Sequence, residues 1–180
     1  MIIGITGKSC SGKNYISQYL TRKGFEVWDL DRVAEKIRKE KRSEVLSVFG
    51  TVDKKEIAKI VFSDSSKLKE LENIIYPELI KKIKTFKYDL AINGATIKRA
   101  GLDELCSFII YVDASYETRL KRAIERDKIT EAEFAKREAA QSDTDFRTND
   151  YKCKVFYLNT ETDCTAQLNA IFTQMTQNSY

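Results

Sequence analysis

Eight residues near the start of the chain carry the clearest chemistry. Gly7-Lys8-Ser9-Cys10-Ser11-Gly12-Lys13-Asn14 has two glycines five apart with a lysine directly after the second. Glycine-permitted turns let backbone N–H groups converge on phosphate oxygens. A helix starting at the lysine adds partial positive charge, and the ammonium group reaches the outer phosphates. Gly7, Lys8, Cys10, Ser11, Gly12, Lys13, Asn14 and Tyr15 are therefore the candidate nucleotide-binding residues, and Lys13 is also a candidate catalytic group. Asn14 occupies the position where such loops usually offer a Ser or Thr hydroxyl to Mg²⁺. Its amide oxygen is the candidate metal ligand, and the expected ligands of the loop are a nucleoside triphosphate and Mg²⁺.

Further along, Asp29-Leu30-Asp31 closes a short apolar run. Ligands of open parallel sheets bind beyond the carboxyl ends of strands, so Asp31 is a candidate to accept a proton from an attacking hydroxyl. The alternative is that either Asp simply caps the helix that follows; Asp29 reads as structural, or at most as a group supporting the site from behind. Arg122 and Arg126 lie four apart on a charged segment, the spacing that sets two guanidinium groups on one helix face to clamp a transferring phosphoryl group. The alternative is a solvated face paired with Glu117, Glu125 and Asp127. Arg119 shares that segment, and Arg137 with Gln141 repeats the spacing on the next one. A mobile lid over 115–145 accounts for both sets. Cys10 reads as a small loop residue, because the chain holds no His to activate it as a nucleophile. Tyr76-Pro77 reads first as a helix kink with a buried aromatic residue.

The elements that must position these groups follow from periodicity. Residues 1–6 read as a buried strand, 13–23 as a helix ending near Gly24, and 25–28 as a second strand. Residues 32–87 are helical in pattern, with Asp53 and Asp64 as N-caps and Pro77 as a kink or break. Strands are expected at 88–92, 108–112 and 154–158, and helices at 115–127, 130–141 and 162–175. Thr130 with Glu133 forms a capping box. Strands separated by helices imply a three-layer α/β architecture, a parallel sheet covered on both faces. The expectation is one domain over 1–180, with 32–87 as a helical insertion forming one wall of a cleft.

Composition narrows the classes. The 180 residues are 42% hydrophobic and 32% charged, which is globular rather than disordered. A net charge of +4 suits a polyanionic small molecule as well as nucleic acid and decides neither. The absence of His excludes imidazole acid–base chemistry and most zinc sites. The opening residues read as a strand rather than a signal peptide, and no apolar run approaches the roughly 18 residues of a membrane helix. Four dispersed Cys without a C-x-x-C fit a reduced, cytoplasmic protein. Small-molecule partners are expected, with no nucleic acid and no membrane; oligomeric state is not legible.

With these residues in place, the chain resembles the dephospho-coenzyme A kinase family from Met1 to about Phe172. The resemblance runs through Ile5-Thr6-Gly7 to Lys13, Asp29-Leu30-Asp31, Ile60-Val61-Phe62, Leu68-x-x-Leu71-Glu72 and Tyr76-Pro77. It continues through Tyr111-Val112-Asp113-Ala114, Arg119-Leu120-x-Arg122, Arg126-Asp127, Arg137-x-x-x-Gln141 and Val155-x-x-x-Asn159. It implies a P-loop NTPase-type fold with a substrate-binding insertion and a lid. It also implies transfer of the γ-phosphoryl of ATP to the ribose 3′-hydroxyl of dephospho-coenzyme A. Under it Lys13 holds ATP phosphates, Asp31 is the base, and Arg122, Arg126 and Arg137 are lid arginines. Asn159 lies by the adenine, and the 32–87 helices, with Asp31 and Tyr76, meet the acceptor. The chain departs from the family pattern at Asn14, at Lys8 and Cys10 (family glycines), at Tyr76 (family His) and over 93–102, where a family carboxylate is replaced by basic residues. A Cβ at Cys10 is costly if the loop needs a positive φ there. Two other readings stay open: a kinase for another small metabolite or a nucleoside monophosphate, and a nucleotide-binding sensor that has lost catalysis.

Overall fold

The computed structural model describes residues 1–139 and 151–177. Gln141 and the end of the expected lid lie outside them. The chain forms two compact units: residues 1–27 together with 88–180, and Trp28–Lys87.

In the first unit, runs of apolar residues make the strands β1 (Ile2–Thr6), β3 (Leu90–Asn93), β4 (Phe108–Asp113) and β5 (Lys154–Asn159), β-branched in β1 and β4, and β2 (Glu26–Asp29) leads into the second unit. The sheet order is β2-β3-β1-β4-β5, and the β1–β3, β1–β4 and β4–β5 pairs are parallel. Strand β3 starts two residues later than its sequence suggests. Tyr88 is exposed, and the ladder opens with the Leu90 N–H donating to the Met1 carbonyl. Helix α1 (Lys13–Arg22) follows β1, α6 (Tyr116–Asp127) and α7 (Glu131–Ala139) follow β4, and α8 (Thr165–Gln177) follows β5. The α1 residues Ile16, Tyr19 and Leu20 and the α8 residues Leu168, Ile171 and Met175 share one core with Ile3, Ile5, Ile110, Val112, Phe156 and Leu158. This packing fixes the carboxyl ends of β1, β4 and β5 relative to one another, and the candidate site is built there.

The second unit is helical: α2 (Leu30–Glu40), α3 (Arg42–Phe49), α4 (Lys54–Ser63) and α5 (Ser65–Thr85). Val45, Phe49 and Ile57 form its small core, flanked by Val48, Val52, Ile60, Val61, Leu71 and Ile74. The expected caps are present. Asp53 accepts from the N–H groups of Lys55 and Glu56, and Asp64 from those of Ser66 and Lys67. Pro77 does not break its segment. Helix α5 continues through it to Thr85, giving up only the hydrogen bond that a proline nitrogen cannot donate.

Candidate active site

The loop from Gly7 to Gly12 joins β1 to α1. Both glycines are required by its path. Gly7 has φ 136° and a Cβ there would stand 2.1 Å from the Val112 carbonyl oxygen; Gly12 has φ 104° and lies against Thr160. Cys10 takes the left-handed conformation at φ 60° despite its side chain, at a cost of about 1 kcal/mol. Its thiol is buried in a small cluster with Ala123 and Phe134, flanked by Leu120 and Ile129 of the α6–α7 hairpin.

Every carbonyl around the loop has a partner. Lys13 Nζ donates to the Gly7 and Lys8 carbonyls, each at 2.8 Å. Arg119 Nη1 reaches the Ser9 carbonyl at 3.5 Å, and Arg122 Nη1 the Cys10 carbonyl at 3.4 Å. Thr160 Oγ1 donates to the Ser11 carbonyl at 2.6 Å, and the Tyr15 N–H to the Gly12 carbonyl at 2.9 Å. In a trans peptide the N–H points opposite the C=O. Fixing these carbonyls therefore fixes the direction of the N–H on the other side of each peptide. The Ser11 N–H closes a turn onto the Lys8 carbonyl at 3.3 Å, and such a loop can offer its other N–H groups to phosphate oxygens. The Thr6 and Ser11 hydroxyls are buried here and have no hydrogen-bond partner within the described residues. Together with the N–H groups and Lys13, they fit a bound polyphosphate.

Thr160 was not anticipated from sequence. Besides bonding Ser11, its hydroxyl accepts from Arg122 Nη1 at 2.9 Å, and its carbonyl accepts from Arg122 Nη2. Its backbone N–H donates to the Asp113 carbonyl at 3.0 Å. The neighbouring Asn159 side chain turns onto the Glu161 N–H at 2.8 Å. No residue motif marks Thr160; its place follows from β5 pairing with β4, which sets the two strand ends side by side.

The arginines separate into different surroundings. Arg122 is braced on Thr160 and the loop. Arg126 contacts the Cys10 thiol at 3.5 Å and forms a fork with Asp127. Hydrogen bonding from Arg126, with help from Arg137, holds the Asp127 carboxyl down at about 2, and the same bond raises Arg126. Arg137 meets Asp127 at 2.6 Å. Arg119 is buried and forms a bidentate pair with Glu138, whose carboxyl that pairing lowers. The capping box at the start of α7 is formed as expected, the Thr130 N–H donating to Glu133 at 2.7 Å.

At the expected metal position, Asn14 Oδ1 accepts from Asn93 Nδ2 at 3.2 Å, and the same amide reaches Ser17 Oγ at 3.1 Å. A carbonyl oxygen has a second lone pair, so Asn14 can still ligate a hard cation. No cluster of three or more metal-ligating side chains occurs among the described residues. The donor set thus fits a cation held mostly by nucleotide phosphates, with one neutral protein oxygen. Tyr15 is tied to the start of α8 through Thr165 at 2.9 Å. In the altered 93–102 segment, Lys98 pairs with the buried Asp103 at 2.8 Å.

In the helical unit, Asp29 caps α2 by accepting from the Arg32 N–H at 3.1 Å, the structural role expected of it. Asp31 is exposed in the first turn of the same helix. Tyr76 donates to Glu72 at 3.0 Å.

Comparison with known proteins shows the family of the chain. The sequence profile of dephospho-CoA kinase matches residues 1–160. A dephospho-CoA kinase of Fusobacterium nucleatum is 40% identical over 144 residues, covering 72% of this chain and 75% of that protein. One from Treponema denticola is 35% identical over 152 residues, covering 72% and 68%. A crystal structure from Thermus thermophilus superimposes with a TM-score of 0.78 at 29% identity, covering 97% of both chains. A shikimate kinase from Acinetobacter baumannii, at 18% identity and TM-score 0.59, shares the fold alone, covering 98% of this chain and 93% of that one. The chain belongs to the dephospho-CoA kinase family.

Proposed function

We propose that this protein transfers the γ-phosphoryl of ATP to the ribose 3′-hydroxyl of dephospho-coenzyme A, giving coenzyme A. The observation that carries the reading is the phosphate loop, with its carbonyls tied by Lys13, Arg119, Arg122 and Thr160, in a chain of this family. Phosphoryl transfer asks a protein mainly for positioning and charge neutralisation. The loop N–H groups and Lys13 bind the phosphates. Arg122 fixes the loop, and Arg126 offers positive charge beside it. Asp31 takes the proton of the attacking hydroxyl, and the helical unit, including Tyr76, contributes acceptor binding. Asn14 is the residue that would hold Mg²⁺, which when bound would neutralise phosphate charge. Asn159 is assigned to the adenine side, and Arg137 to a lid formed by the α6–α7 hairpin. Four free thiols fit a reducing compartment, and a cytoplasmic location is part of the reading. No helix of the described residues is long and apolar enough to cross a membrane.

The test is ADP release from Mg-ATP in the presence of dephospho-coenzyme A, shikimate or nucleoside monophosphates. Turnover with dephospho-coenzyme A alone is expected. Turnover on another acceptor would reassign the substrate, and ATP binding without turnover on any of them would favour a sensor.

A further inference from the structure

Arg119 is only 4% exposed, and its surroundings are more elaborate than a structural ion pair needs. Its guanidinium group lies against the rings of Tyr116 and Phe134, with centroids 6.0 and 5.7 Å away. Nε donates to the Ala114 carbonyl at 3.1 Å, both terminal nitrogens fork onto Glu138, and Nη1 also reaches the Ser9 carbonyl. Lys8, next to Ser9, stands 3.7 Å from the same Glu138 carboxylate. Desolvating a guanidinium and a carboxylate offsets most of their attraction, and an apolar pair of similar size often stabilises a fold as well. What an apolar pair cannot do is hold a loop carbonyl.

We infer that Arg119, clamped by Glu138, is a positioning residue for the phosphate loop: it holds the Ser9 carbonyl outward and thereby aims the Cys10 N–H at the ATP phosphates. The inference rests on the ATP-dependent reading above. The peptide between Ser9 and Cys10 is planar, so fixing its oxygen fixes its N–H. The neighbouring peptides are held by Arg122 at Cys10 and by Thr160 at Ser11, which leaves Arg119 responsible for one specific donor. Glu138 belongs to α7, so the clamp also ties that helix to the loop.

The experiment compares the full-length protein with Arg119→Met/Glu138→Met. Mg-ATP binding is titrated calorimetrically without acceptor, KM is measured for ATP and for dephospho-coenzyme A, and melting is followed. The double variant is expected to melt near the wild type and to keep its acceptor KM. It should bind ATP about tenfold more weakly, the loss of one hydrogen bond to a charged group. Unchanged ATP affinity, or an equal weakening toward the acceptor, would make the pair merely structural and overturn the inference. If the double variant does not fold, Arg119→Gln carries the test. Its amide ends at about the depth of Nε, so it can keep the Ala114 contact while losing both Glu138 and Ser9, and wild-type ATP affinity in it overturns the inference. Should the wild type bind ATP without phosphorylating dephospho-coenzyme A, the acceptor reading falls while the titrations still decide the role of Arg119. A wild type that binds no ATP sinks both.

Discussion

Thr160 donates its hydroxyl hydrogen to the Ser11 carbonyl at 2.6 Å, fastening the end of β5 to the phosphate loop. The same oxygen accepts from Arg122, so one hydroxyl links loop, strand and helix. Thr160→Val keeps the shape and leaves both the Ser11 carbonyl and an Arg122 N–H without this partner. Partly buried groups stripped of a partner cost about 1–3 kcal/mol each. The expected outcome is a KM for ATP raised about tenfold, with Thr160→Ser close to wild type. Steady-state kinetics at saturating acceptor checks this, and a Val variant with unchanged KM would show that the loop holds its form without Thr160.

Asn14 is one of the places where the chain departs from the usual loop. Asn93 orients its amide, so Asn14→Ser removes one oxygen, introduces a hydroxyl nearer the backbone, and leaves the Asn93 amide with Ser17. A hydroxyl at this position suits Mg²⁺ at least as well as an amide. Activity equal to or above wild type is expected, with half-saturation at lower Mg²⁺. Measuring rate against free Mg²⁺ at fixed ATP decides it. A large loss of rate would mean that the Asn14–Asn93 pair forms a metal arrangement of its own.

Much of this was legible in the residues, and the exceptions share a cause. Strands β1 and β4 announced themselves as β-branched runs, and Asp53, Asp64 and the Thr130–Glu133 box marked helix starts by chemistry acting within three residues. The loop was legible because its spacing is local. Thr160 was not, because its role arises from the parallel pairing of β4 with β5, which no short window encodes. Arg119 looked like any charged helix residue. Only the arrival of Phe134 and Glu138 from α7 buries it. Cys10 shows how tertiary context overrides preference: the loop needs φ 60° there, and burial of the thiol against Ala123 and Phe134 offsets the strain of a side chain in that conformation. Pro77 was legible as a kink or a break, and of these the break is absent: α5 runs through it, with Ile75, Leu79 and Ile83 buried on either side.

Asp31 tests the chemical step separately from nucleotide binding. It is an exposed carboxylate in the first turn of α2, just after the capping Asp29. Asp31→Asn preserves size and removes the ability to accept a proton. If Asp31 is the base, turnover should fall by about two to four orders of magnitude while the dissociation constant for ATP stays nearly unchanged. Rapid-quench measurement of ADP and calorimetric titration of ATP separate the two. Unchanged turnover would remove Asp31 as base.

Asp127 supplies a pH test of the α6–α7 hairpin. Hydrogen bonds from Arg126 and then Arg137 lower its carboxyl from the ordinary 3.8 to about 2. A carboxyl whose folded value lies below its unfolded value stabilises the fold fully once pH exceeds the unfolded value. The contribution fades as pH falls through the folded one. Stability from Asp127 should therefore be complete above about pH 4 and drain away toward pH 2. In Asp127→Asn this contribution is absent at every pH. The variant should melt below the wild type at neutral pH, and the gap should narrow as the solution is acidified over that window. Paired melting curves at matched ionic strength read the difference directly. A gap that stays constant down to the lowest pH would show that Arg126 and Arg137 do not hold this carboxylate in its charged form.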